Sequence, residues 1–126
     1  MNTDRKQIQT LGWHSETGSS INAIDELQKE AHRIAVEKGW WDDDREAPEC
    51  IAAIHSEMSE AFAAYRDGNP MSNKIPPFSQ IEEELADVII RVLDYAERNS
   101  FEIGKALAAK MAYNEGREYR HGGKLA

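Results

Sequence analysis

Cysteine is nearly absent from this chain of 126 residues, and Cys50 is the only one. A lone cysteine excludes an intramolecular disulfide and fits a reducing, cytoplasmic setting, with Cys50 read as a small packing residue on a helix. Proline is equally sparse, with four residues confined to the stretches between apolar segments. No apolar run approaches the ~18 residues of a membrane span, and the opening MNTDRKQIQT lacks the apolar core of a secretory signal. Period-two alternation is missing over any useful length, so strands are not expected. Positive charge is in short supply: 15 Lys and Arg against 23 Asp and Glu leave a net charge of −8. That balance argues against a nucleic-acid partner. It leaves room for a small phosphorylated substrate, because bound cations reverse the local sign.

What remains is ordinary globular material, 40% hydrophobic and 30% charged, enough for one domain with a real core. Residues 1–17 read as a polar arm carrying Trp13 and His14, residues 18–120 as the folded domain, and 121–126 as a basic tail. Ser19 or Ser20 is expected to cap a first helix running to about Lys38, with Ile21, Ile24, Leu27, Ala31 and Ile34 or Ala35 on its apolar face. Gly39 ends it, and Trp40 to Asp44 form a loop. Pro48 suits the first turn of a second helix reaching Arg66, with Ile51, Ile54, Met58, Ala61, Phe62 and Tyr65 facing inward.

Asp67-Gly68-Asn69-Pro70 stops that helix, and a loop runs through Pro76-Pro77. Ser79 with Glu82 is a capping box opening a third helix. Its stripe of Ile81, Leu85, Val88, Val92 and Tyr95, with Ile90 on nearly the opposite side, predicts a helix covered on two faces. Asn99 or Ser100 precedes a fourth helix from Glu102 to about Tyr113, with Leu107 and Met111 as its core residues. The expected fold is all-α, a four-helix bundle.

Chemistry concentrates in two carboxylate pairs, Glu57-Met58-Ser59-Glu60 and Glu84-Leu85-Ala86-Asp87. A spacing of three places both acids of a pair within one helical turn on the same side. Two such helices side by side gather four anions, which repel one another unless a hard cation lies between them. Glu-x-x-Glu alone is usually a solvated face, but Glu84, Asp87 and Arg91 fall between two apolar faces, where carboxylates need partners. A di-iron site would need Glu-x-x-His, yet the positions three residues after the four acids hold Glu60, Ala63, Asp87 and Ile90, and His55 lies on another side of its helix. An all-oxygen set favours Mg²⁺, with Mn²⁺ as a substitute, over iron or zinc.

These residues carry a family resemblance. Ile54-His55-Ser56-Glu57-Met58-Ser59-Glu60-Ala61, a spacer over 61–83, and Glu83-Glu84-Leu85-Ala86-Asp87-Val88 resemble the signature of the MazG-like all-α nucleoside triphosphate pyrophosphohydrolases. The likeness covers roughly residues 20–120 and extends to Lys110, Asn114 and Arg117, at positions such enzymes use near the triphosphate and sugar. His32 and Trp41 fall about where related enzymes contact the base, and Trp41 reads equally as an anchor for its loop. The resemblance implies bundles paired into a homodimer or homotetramer. It also implies Mg²⁺-dependent hydrolysis of a (deoxy)nucleoside triphosphate to the monophosphate and pyrophosphate, in the service of nucleotide-pool cleansing. Glu57, Glu60, Glu84 and Asp87 would hold the metal, with Glu57 or Glu60 taking the proton of the attacking water. Arg91 would orient the carboxylates or reach a phosphate, with Asp94 and Glu83 supporting or solvated. Phosphoribosyl-ATP pyrophosphohydrolase and all-α dUTPase share this chemistry and stand as alternatives. A helical interaction module is the alternative without catalysis.

Overall fold

The computed structural model describes residues 16–125. The arm expected over 1–17, with Trp13 and His14, lies outside the described residues up to position 15. Among the described residues the chain is all-α: α1 (Glu16–Glu37), α2 (Ala47–Arg66), α3 (Gln80–Arg98) and α4 (Ile103–Glu115), then one further turn, α5 (Arg120–Gly123). No strand forms among them, and an isolated antiparallel bridge between Met71 and Ser79 is the only strand-like pairing. None of these helices is long and apolar enough to cross a membrane.

The helix ends follow local chemistry. α1 already runs through Ser19 and Ser20, so neither caps it. Its C-terminal end is closed where expected: Gly39 adopts φ +86, a left-handed conformation that costs glycine little, and Trp40 N–H reaches back to Ala35 O at 3.0 Å. Pro48 lies in the first turn of α2. The box at the start of α3 is reciprocal, Glu82 N–H donating to Ser79 Oγ at 3.2 Å and Ser79 N–H to Glu82 Oε1 at 3.0 Å. The loop before it is tied down by Ser72, which is 1% exposed and accepts from the backbone N–H groups of Lys74 and Ile75.

The chain divides into two compact units. One runs from Gln28 to Phe101, and the other comprises the described residues up to Leu27 together with those from Glu102 on. In the first, α2 packs along α3. Their buried residues are Cys50, Ala61 and Ala64 from α2 with Leu93, Asp94 and Ala96 from α3, four of the six being alanine or cysteine. Gln28 donates to Phe101 O at 2.8 Å in the same unit. In the second, Gly104, Ala108 and Ala112 are the buried face of α4. A Cβ at Gly104 would stand 2.9 Å from Asp25 Oδ1 and 3.0 Å from Ile21 O, so only glycine allows this approach.

The large apolar residues are placed differently from expectation. Periodicity puts Ile51, Met58, Phe62 and Tyr65 on the inner face of α2, yet all four are exposed, Tyr65 by 68%. Leu27 and Ile34 on α1, Leu85, Ile89 and Ile90 on α3, and Leu107 and Met111 on α4 are exposed too. On α2 and α3 the buried seam is made instead by Cys50, Ala61, Ala64, Leu93 and Ala96, and the bulky stripe lies beside it. Trp40 is 59% exposed and does not join the core.

Candidate metal centre and the Asp94 hub

On α2 the buried positions 50, 61 and 64 follow the helical repeat through 57, so Glu57 projects along the seam with α3. On α3, Glu84 and Asp87 are one turn apart. The structure brings Glu57, Glu84 and Asp87 together, all half-buried, with one carboxylate oxygen from each lying within 4.8 Å of the others. Glu60, one turn beyond Glu57, is exposed and stands outside this group.

The electrostatics of the cluster follow from its crowding. Burial first, then the charge of Asp87, a hydrogen bond with Glu57 and the charges of Glu57 and Glu83 push the Glu84 carboxyl above its ordinary value. Burial and the charges of Glu57 and Glu83 raise Asp87 as well, against the opposing pull of Lys74 and Arg91. Arg91, one turn after Asp87, donates from Nε to Glu57 Oε1 at 2.7 Å and is the one ion-pair partner of the cluster among the described residues. Beside it, Glu83 Oε1 is buried and accepts no hydrogen bond. An all-oxygen set with anions in excess and an orphaned acceptor fits a hard divalent cation.

A second cluster surrounds Asp94, which is 8% exposed. Its Oδ1 accepts from His32 Nδ1 at 2.7 Å, and Trp41 Nε1 donates to both carboxylate oxygens at 2.9 and 3.2 Å. Arg45 lies 3.7 Å from Oδ2. The guanidinium of Arg45 sits 4.2 Å from the centroid of the Trp41 ring, and that of Arg98 sits 5.0 Å from it. Arg98 also pairs with Asp44 at 2.9 Å, fastening the same loop. Trp41 is thus already engaged on its ring and its N–H, and His32 meets it edge-on at 5.9 Å. A cavity of about 10 Å³ opens among Trp41, Arg45, Arg91, Asp94 and Tyr95. It has room for one water and far too little for a nucleobase.

Lys110, Asn114 and Arg117 belong to the unit that does not contain the acidic cluster. Lys110 Nζ lies 4.7 Å and Arg117 Cζ 5.5 Å from the centroid of Tyr113, so the two cations share one ring. Lys110 and Asn114 are exposed, and Arg117 follows the end of α4. Sequence reasoning does not single out Lys74 or Arg45. The signal for Arg45 is its closeness to the Trp40-Trp41 loop, whereas Lys74 lies in a polar loop that carries none. Comparison with known protein families, with characterised proteins and with solved structures finds no match to this chain.

Proposed function

We propose that this chain is a divalent-cation-dependent nucleoside triphosphate pyrophosphohydrolase of MazG-like type, working in the cytoplasm. The observation that carries the reading is the convergence of Glu57, Glu84 and Asp87 with two of their carboxyls raised, which leaves an anionic site in need of a cation. The likeness of the two carboxylate motifs to that family supplies the reaction. Glu57, Glu84 and Asp87 would hold Mg²⁺ or Mn²⁺, with Glu60 one turn away. The bound cation supplies neutralisation of the triphosphate and a more acidic water. Glu57 or Glu60 takes the proton of the attacking water as its oxygen bonds to the α-phosphorus. The α–β bridging bond breaks, and pyrophosphate leaves with the bridging oxygen. The family likeness, rather than any geometry, gives Lys110 and Arg117 to phosphate oxygens, Asn114 to sugar or phosphate, and His32 and Trp41 to the base.

The exposed stripe of Met58, Phe62 and Tyr65 on α2, with Leu85 and Ile89 on α3, supports assembly with a second copy. A monomer rarely leaves so many large apolar side chains in water. Light scattering at micromolar concentration should give at least a dimer, and a monomer would contradict this.

Incubation with the common ribo- and deoxyribonucleoside triphosphates and Mg²⁺, followed by product analysis, tests the function. Monophosphate plus pyrophosphate is expected. Diphosphate plus phosphate, or no turnover of any nucleotide, would overturn the reading.

A further inference from the structure

We infer that Asp94 is a positioning residue: its buried carboxylate fixes the proton of His32 on Nδ1 and so presents the Nε2 edge of that ring to the nucleotide, moored together with Trp41. The inference rests on the function proposed above only for its last step, the identity of what meets Nε2.

The geometry of the lock is local. An ionised carboxylate only accepts hydrogen bonds, so a ring nitrogen 2.7 Å from Asp94 Oδ1 must carry a proton. Trp41 Nε1 has no acceptor form, and it already donates to both oxygens of the same carboxylate. Two N–H groups from α1 and the following loop therefore converge on one side chain of α3. With Nδ1 committed, Nε2 is the ring nitrogen left for a ligand, and its orientation is set by Asp94 rather than by His32 itself. His32 keeps 21% of its side chain exposed, against 11% for Asp94, so the ring has an open edge while its anchor does not.

Removing the acceptor makes the idea testable. His32 Nδ1 at 2.7 Å and Trp41 Nε1 at 2.9 Å both reach Oδ1, so in Asp94→Asn an amide oxygen in that place serves both donors and the tautomer is kept. Asp94→Leu takes the acceptor away, and a free neutral imidazole prefers its proton on Nε2, the wrong tautomer for the edge it presents.

The experiment uses long-range ¹H–¹⁵N NMR on the full chain labelled at histidine, together with nucleotide kinetics. In the unsubstituted protein His32 should appear as the Nδ1–H form, and Asp94→Asn should keep it, whereas Asp94→Leu should move it to Nε2–H. With the common nucleoside triphosphates and Mg²⁺, Asp94→Leu and His32→Ala should each change the ratios of kcat/KM among bases several-fold, while Asp94→Asn should stay near the unsubstituted ratios. Combining Asp94→Leu with His32→Ala should add nothing further. An Nε2–H ring in the unsubstituted protein would overturn the lock whether or not any variant folds, as would an Nδ1–H ring in Asp94→Leu. A changed tautomer with unchanged base ratios would overturn the ligand-facing role. Absence of hydrolysis by the unsubstituted protein would overturn the proposed function and that role together, while the NMR arm still decides the lock.

Discussion

Asp87 and Asp94 stand on the same helix about 10 Å apart along its axis, and their surroundings are opposite. Around Asp87 three carboxylates converge, one guanidinium answers them, and a neighbouring acceptor on Glu83 has no donor. Around Asp94 one carboxylate is met by an imidazole, an indole and a guanidinium, all from its own chain. In the second arrangement both carboxylate oxygens have donors and the group behaves as a clamp, although the buried Arg45 Nε beside it makes no hydrogen bond. The first is a deficit of positive charge that the described residues do not fill, which is the physical basis for proposing a cation there. Asp94 is buried and Asp87 half-buried, yet it is the more buried carboxylate that has its charge answered, so the supply of donors sets the difference.

Activity should separate the two ends of α3 most sharply. Glu57→Gln, Glu84→Gln and Asp87→Asn are each expected to lower kcat by about 10²–10³-fold, because each removes part of the charge that holds the cation against the transition state. Glu60→Gln, outside the cluster, should cost less, on the order of tenfold if it serves in proton transfer. Near-normal turnover in two of the three cluster variants would end the assignment.

Stability should separate the two ends by sign. Asp94→Ala leaves His32 Nδ1–H and Trp41 Nε1–H without their acceptor in a buried place, and chemical denaturation should show a loss of about 2–4 kcal/mol. Asp87→Asn or Glu84→Gln in cation-free buffer removes one of several mutually repelling charges, so the melting temperature should rise slightly, by about 1–2 °C. Equal destabilisation at both ends would erase the distinction.

A smaller effect lies in the pH dependence of the cation-free protein. The Glu84 and Asp87 carboxyls are raised above their ordinary values of 4.5 and 3.8, so just above those values the folded chain holds protons the unfolded chain has released. This contribution therefore favours folding as pH falls into that interval, and it is lost as pH rises through the raised values. Thermal melts across that interval should show the slope without Mg²⁺ and a flatter one with it. No difference between the two series would argue against a cation on these carboxylates.

Much of this organisation is legible in the residues. Gly39, Pro48, the Asp67–Pro70 turn and the Ser79–Glu82 box locate helix ends because capping is local chemistry, read from a few neighbours. The pairing of Glu57 with Glu84 and Asp87 is legible from spacing, since one turn of helix fixes relative direction. The packing faces are not. Periodicity marks Met58, Phe62 and Tyr65 as a stripe without saying what covers it, and the stripe of small residues at 50, 61 and 64 competes for the same helix. Within the chain the small residues take the seam, with Glu57 along it and Glu60 outside it. Asp94 reads in sequence as a supporting or solvated acid because its partners His32 and Trp41 come from 62 and 53 residues away. Only tertiary structure joins them.

The most direct test of the contrast is thermal unfolding with and without Mn²⁺ in three proteins, the unsubstituted chain, Asp87→Asn and Asp94→Asn. A cation bound only by the folded state stabilises by mass action, about 2.7 kcal/mol at a hundredfold excess over Kd. A clear upward shift is expected in the unsubstituted chain and in Asp94→Asn, with its loss in Asp87→Asn. No shift in the unsubstituted chain, or an equal shift in Asp87→Asn, would contradict it.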